Sequence, residues 1–492
     1  MTIQHARFHV TLKTNDNHMK NQAHLKATRL NLGDFKSVPI RTFWITSFAF
    51  FICFFAWFGI IPFMPDVVRD LGLTPDQKWN AVVFAVAGTI FSRLLIGKLC
   101  DKYGPRICYT WLLILGSIPV ILSGLVTTPM QFYICRLLTG FIGASFVITQ
   151  VHTSLMFASN VVGTANATSA GWGNLGGGAN RLGMPLIAAL VIAFGIAETD
   201  AWRYSMVLIG IVCFLTGLLY YFFTKDTPAG NYSELVARGE KIPKGKKDVV
   251  GFLEAAKDYR VWVLFIVYAA CFGIELTVYG TMDDYLQNTF GLSRITAGNL
   301  VLSFALMNIF ARTLGGWFGD KYGKTGGLKG RVWFLAAIIV AEGLMLGLFS
   351  TATSLTLGVI LLIGFSLTVQ MAEGATFSVV PFINKKAIGS ISGIVGAGGN
   401  FGAFITALFL KYKSGEAAKL TLQGNELSGA DALKAAQTAA EAAAVSSGYL
   451  QIGLLIVGTG IATLVIRFSL EDEKIAKKEL EQLSPELIKI EE

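Results

Sequence analysis

Residues 93–106 read RLLIGKLCDKYGPR and residues 312–324 read RTLGGWFGDKYGK; each carries G-x-x-x-D-K-Y-G with an arginine four residues ahead of its first glycine. Arginine and motif recur at the same offset, 219 residues, so the chain contains an internal duplication. Each copy ends an apolar stretch long enough to cross a bilayer as a helix, which places Arg93 and Arg312 inside hydrocarbon. An arginine at helix centre costs about 2.5–3.5 kcal/mol on insertion scales. Neither has an acidic residue within one turn of its own helix, so a local ion pair does not offset the cost. Two guanidinium groups facing one cavity repel each other unless an anion sits between them. Each offers a planar fork of donors that fits a flat oxyanion in bidentate fashion.

The rest of the chain agrees with a membrane setting. Of 492 residues 53% are hydrophobic and 15% charged, with a mean hydropathy of +0.56, too apolar for an ordinary soluble domain. Twelve apolar stretches run at about 42–64, 79–100, 108–127, 131–157, 164–196, 203–223, 261–286, 296–318, 332–350, 354–380, 387–410 and 448–469. The fold expected is an all-α membrane protein of twelve transmembrane helices in two six-helix pseudo-symmetric halves, 42–223 and 261–469. A polar linker at 224–260 divides them, flanked by tails at 1–41 and 470–492. Segment 411–447, polar and then alanine-rich, reads as an extracytoplasmic amphipathic or helical insert.

The first 40 residues are polar and basic, which argues against a cleaved signal peptide. Arg7, Lys13, Lys20, Lys26, Arg29, Lys36 and Arg41, with Lys241, Lys244, Lys246 and Lys247 in the linker, place the N-terminus and linker in the cytoplasm of an inner or plasma membrane. An even number of spans puts the C-terminus there too. The net charge of +9 is a topology signal with attraction to anionic lipid, and does not form a nucleic-acid patch. The six cysteines have no paired spacing and read as packing residues, without disulfide or metal site. His5, His9, His18 and His24 lie in the tail, and His152 alone falls in a span. There is no nucleophile elbow, and GDKYGKT at 319–325 is one residue short of a phosphate loop, so an enzyme and a cofactor are not expected.

A second duplication lies in glycine-rich spans, GWGNLGGGAN at 171–180 and SGIVGAGGNFG at 392–402. Gly173, Gly176, Gly178 and Asn180 match Gly393, Gly396, Gly398 and Asn400 at an offset of 220. Gly171, Gly173 and Gly176 spell a dinucleotide fingerprint, but no strand precedes them; close helix packing explains most of these glycines. Packing leaves Asn174 and Asn400 unexplained as neutral donors beside a crowded backbone.

Duplicated six-span halves with D-K-Y-G after the second span of each resemble the major facilitator superfamily, over residues 42–469. The paired glycine segments, with one arginine in span 2 and one in span 8, resemble the nitrate/nitrite porter family. EGATFSVVPF at 373–382, running into Gly389, and CFGIELT at 271–277 are more similar to its uptake branch than to its respiratory exchangers. The resemblance implies that Arg93 and Arg312 clamp nitrate, that Asn174 is a polar contact and Phe146 an aromatic wall, and that Tyr268 and Phe272 stack on or hydrogen-bond the planar anion. Alone, each aromatic reads equally well as packing. Asp101, Lys102, Arg106, Asp320 and Lys321 resemble cytoplasmic gate loops whose charged contacts to neighbouring helices lock one conformation; the plainer reading is topology-setting charge.

An inside-negative potential opposes entry of a monovalent anion by about 2.3 kcal/mol per 100 mV, so uptake needs entering protons or departing nitrite. Intramembrane candidates for the proton are Glu275, Glu373, Glu342 and His152. Glu275, seven residues after Tyr268 and on nearly the same helix face, is favoured, then Glu373; a structural hydrogen bond is the alternative for both. The expectation is a monomeric secondary transporter in membrane lipid, taking up nitrate and nitrite by alternating access with protons. Nitrate/nitrite exchange and a sensor of transporter shape stand as alternatives.

Overall fold

The computed structural model describes residues 25–240, 248–424 and 430–488. The tail through His24 and Lys241, Lys244, Lys246 and Lys247 lie outside the described residues. Spans 1 to 3 are Val38–Phe58, Pro75–Tyr103 and Pro105–Ser123. Span 4 is Pro129–Gly140 and Ser145–Met156, joined by a 3-10 turn at Phe141–Ala144; spans 5 and 6 are Val162–Ala193 and Ala201–Phe223. Span 7 is Tyr259–Phe290, span 10 Leu355–Val379, span 11 Ile388–Gly424 and span 12 Ala430–Thr463.

Among the described residues, eleven apolar helical stretches are long enough to cross a membrane, and one of them, Ile295–Ser350, has 56 residues. As a single helix it would measure about 84 Å against a hydrocarbon core of about 30 Å. It breaks at Gly327, whose φ of 64° and ψ of −158° are open to glycine and strained for other residues. Glu473 of the C-terminal helix Leu470–Ile488 caps the restart, accepting from the Leu328 and Lys329 amides at 3.0 Å each. Span 8 thus ends and span 9 begins at the break, which restores the twelve crossings.

Helix starts follow their sequences. Thr74 and Thr128 form capping boxes with Gln77 and Gln131, each followed by proline in the first turn. The described residues of segment 411–447 are helical: span 11 runs on to Gly424 and span 12 starts at Ala430, as the alanine run's helix propensity favours. GDKYGKT lies within helix, which removes the phosphate-loop geometry.

The halves meet where span 2 packs on span 11 and span 5 on spans 8 and 10. Contact there is backbone to backbone. A Cβ on Gly97 would overlap the carbonyl of Gly389 and one on Gly389 that of Gly97; a Cβ on Gly316 would overlap the carbonyl of Gly163. The described termini gather on this face. Lys26 donates to the Ser154 carbonyl at 3.1 Å, and burial, then the neighbouring Lys385, push its ammonium down to about 8 against the pull of Glu479.

Candidate functional site

Arg93 of span 2 and Arg312 of span 8 are 0% and 1% exposed. Arg93 Nε donates to the Gly143 carbonyl, freed by the 3-10 turn in span 4, at 3.1 Å, and Nη1 donates to the Gly396 carbonyl at 2.5 Å. One side-chain amide position of Asn400 faces only the donors of Arg93 and the other only acceptors, so the oxygen occupies the first, accepting from Nη1 at 2.8 Å and Nε at 3.2 Å. Nη2 has no partner among the described residues.

Arg312 shares the asparagine and differs in the rest. The oxygen of Asn174, placed by the same argument, accepts from its Nη2 at 3.1 Å and from Nη1. Nη2 also ion-pairs with Glu373 of span 10 and lies 3.9 Å from Glu275 Oε2 of span 7. Glu275 Oε1 accepts from Asn308 Nδ2 at 2.7 Å and from the Tyr279 hydroxyl at 3.1 Å. The ion-pair explanation set aside on helix spacing therefore holds for Arg312, through other helices, and not for Arg93.

Three near-parallel rings stand against the guanidinium groups. Centroids are 5.5 Å apart for Phe146 and Tyr268, 5.2 Å for Tyr268 and Phe272 and 6.2 Å for Phe146 and Phe272, with interplanar angles of 14°, 4° and 12°. Phe377 of span 10 closes the stack edge-on. The Arg93 guanidinium carbon lies 5.1 Å from the Phe146 centroid and 5.3 Å from that of Phe272, and Arg312 lies 5.9 Å from Phe272 on its other approach. Tyr268's hydroxyl and Arg312 Nε join Arg93 Nη2 as buried donors without a partner among the described residues. Leaving such a donor unmet costs about 1–3 kcal/mol, and all three have capacity to donate to an oxygen.

The nine site residues singled out in the sequence therefore converge. Glu342, buried in span 9, makes no hydrogen bond to a described residue, and His152 is taken up by the Tyr220 hydroxyl at 2.5 Å and the Lys225 carbonyl at 2.6 Å. The repeat is corrected. Asn174 and Asn400 hold equivalent places beside their arginines, an offset of 226, and Asn180 instead bonds its own helix at the Gly177 carbonyl. The six-residue difference turns a helix by about 240°, which explains why the literal glycine match misassigns the partner.

The acidic gate residues each cross between halves. Asp101 accepts from the Gly389 and Ser390 amides, both at 2.8 Å, and from the Ser390 hydroxyl at 2.7 Å. Asp320 accepts from the Gly163 and Thr164 amides at 3.1 and 2.6 Å and from the Thr164 hydroxyl at 2.7 Å. Each carboxylate thus caps the N-terminus of a span in the other half. Of the basic residues, Arg106 of span 3 donates to the Tyr221 carbonyl of the neighbouring span 6, within its own half, while Lys102 and Lys321 lie over the rings of Tyr103 and Trp317. Sequence reasoning missed Arg331, which pairs with Asp320 at 2.7 Å, and Phe377, Asn308 and Tyr279. A cavity of about 400 Å³ between the Gly323–Leu328 turn and the C-terminal helix is lined by Arg331 and by neither Arg93 nor Arg312.

Residues 46–407 match the family model of the Major Facilitator Superfamily. High affinity nitrate transporter 2.5 of Arabidopsis thaliana is 37% identical over 385 residues, covering 78% of this chain and 76% of that protein. The Nitrate/nitrite transporter NrtP of a Picosynechococcus species is 30% identical, covering 74% and 84%. The proton:xylose symporter XylE shares the fold at a TM-score of 0.64 and 14% identity, over 87% of this chain and 95% of that one. Fold, duplicated arginines and relatives together place the chain as a multi-pass membrane transporter, not an enzyme, in the nitrate/nitrite porter family of the major facilitator superfamily.

Proposed function

We propose that this protein imports nitrate, and nitrite as a second substrate, across an inner or plasma membrane by alternating access, with protons entering alongside the anion. The observation that carries the reading is the pair of buried guanidinium groups, each held by an asparagine, with unmet donors facing the parallel rings. A planar, monovalent oxyanion satisfies those donors in the plane while the aromatic stack lies beside it. One chain supplies both arginines, so a monomer suffices. The topology-setting charges and the D-K-Y-G turns put the face closed by Asp101 and Asp320 toward the cytoplasm.

The carboxylates supply the coupling. Glu373 occupies Arg312 as an internal anion, and a proton on Glu373 releases Arg312 to an incoming nitrate. One negative charge replaces another at the guanidinium, and the proton travels with the substrate. Sequence favoured Glu275; contact with Arg312 makes Glu373 the first candidate, and Glu275, tied to Asn308 and Tyr279, the second.

The test is reconstitution in liposomes with nitrate outside, comparing an inward proton gradient with nitrite loaded inside. Gradient-driven uptake that a protonophore abolishes supports symport. Uptake that needs internal nitrite and ignores the gradient replaces symport with exchange, and uptake under neither condition removes the transport reading.

A further inference from the structure

On the face away from the D-K-Y-G turns the halves are joined again. Arg181 of span 5 places Nη1 3.2 Å from Asp283 Oδ2 of span 7, and its Nη2 donates to the Tyr279 carbonyl at 3.2 Å. Both side chains are partly open, at 34% and 32% exposure, unlike the sealed pair below them. Asp283 Oδ1 is buried and has no partner among the described residues.

The position repeats the chemistry of the inner site. Arg181 is seven residues beyond Asn174 on one helix, so it stands two turns and about 10.5 Å further along the same face. Tyr279 and Asp283 follow Glu275 on span 7 by one and two turns. Two rungs result, and the outer one crosses the halves: Arg181 of the N-terminal half meets Asp283 of the C-terminal half, whereas at the inner rung Arg312, Glu373 and Glu275 all belong to the C-terminal half and Asn174 comes from the other. Tyr279 links them, its carbonyl accepting from Arg181 and its hydroxyl donating to Glu275.

We infer that Arg181 is an outer binding station for a small monovalent oxyanion, which takes the ion on entry in place of Asp283 and passes it inward to Arg312. The inference rests on the import reading and orientation proposed above. A partly exposed ion pair is held weakly, so an arriving anion displaces Asp283 without a proton; the buried Arg312 pair exchanges only when Glu373 is protonated. A one-third-open guanidinium at the mouth also attracts anions from solution at a range set by salt.

A mere latch between halves is separable from a station, because Arg181→Gln and Asp283→Asn break the same pair. If the pair only latches, both variants shift nitrate uptake in the same direction. If Arg181 holds the anion and Asp283 competes with it, Arg181→Gln raises the KM for nitrate about five- to tenfold at low salt with Vmax held within about twofold, while Asp283→Asn lowers the KM. Arg181→Lys keeps the charge without the fork and falls between, which guards against a variant that simply fails to fold. The measurement is initial nitrate uptake into proteoliposomes at low and high salt. Changes of the same sign in Arg181→Gln and Asp283→Asn, or an unaltered KM in Arg181→Gln, overturn the station; absence of uptake by the unaltered protein overturns the import reading instead.

Discussion

The two arginine sites were made by one duplication and are no longer alike. Arg93 is surrounded by neutral oxygens, from Gly143, Gly396 and Asn400, whereas Arg312 keeps the asparagine and adds Glu373 and Glu275. The contacts of the rings give the correspondence. Gly173 packs on Phe50 as Gly399 packs on Phe272, which sets spans 1 and 7 at an offset of 222 and puts Cys53 where the other half has Glu275. Gly143 lies against Arg93 as Gly374 lies against the backbone of Arg312, an offset of 231 that puts Ile142 where the other half has Glu373. Cys53 and Ile142 are both fully buried. Duplication supplied the guanidinium and its asparagine twice; under the proposed coupling, the two carboxylates on one side make that side responsive to protons. Arg93 is then the fixed receptor and Arg312 the conditional one.

The largest effect comes from removing the fork. Arg93→Lys and Arg312→Lys each keep a positive charge, so a requirement for charge alone leaves transport near normal. The bidentate geometry predicts a loss of about a hundredfold or more in nitrate uptake for both, measured in proteoliposomes. Near-normal uptake by Arg312→Lys alone makes Arg93 the sole anion receptor and sharpens the comparison to one working site.

Next in size is the carboxylate that separates the halves. Glu373→Gln removes the nearer of the two carboxylates of Arg312, so nitrate binding loses most of its pH dependence while gradient-driven accumulation is lost and nitrate-for-nitrate exchange survives. The reciprocal change, Ile142→Glu, offers Arg93 an internal anion and lowers nitrate affinity by about tenfold above neutral pH, with recovery on acidification. Binding by calorimetry across pH reads both. Affinity in Ile142→Glu that ignores pH breaks the proposed correspondence of spans 4 and 10.

Much of this was legible in the sequence because it repeats along it: spans, D-K-Y-G turns and arginines follow from periodicity and one offset. The asparagines were legible as polar groups among glycines, but their pairing was not, since helix rotation and not literal alignment decides which asparagine meets an arginine. Glu373 lies 61 residues from Arg312, so nothing in either helix announces that they touch. Arg331 stands just ahead of the apolar stretch 332–350, beside the polar turn, where an arginine reads as a topology-setting charge. Arg181 was hidden by the glycines before it.

The smallest difference lies at the gate, where the halves are most alike. Asp101 and Asp320 make the same three bonds to a helix N-terminus of the opposite half, but Asp320 also holds the buried Arg331 at 2.7 Å. Arg331 further donates to the Ser378 and Ser159 carbonyls, so it ties span 9 to span 10 and to the loop before span 5. Asp101→Asn removes a charge from a capping site and costs about 1 kcal/mol of closed-state stability. Asp320→Asn removes the same cap and strands a buried guanidinium, which costs about 3 kcal/mol or more. Thermal unfolding in detergent should therefore rank Asp320→Asn well below Asp101→Asn. Adding Arg331→Met to Asp320→Asn should recover most of the gap, because the stranded charge and not the lost cap is its cause; a double variant no more stable than Asp320→Asn assigns the difference to the cap, and makes the two gates unequal for a reason other than Arg331.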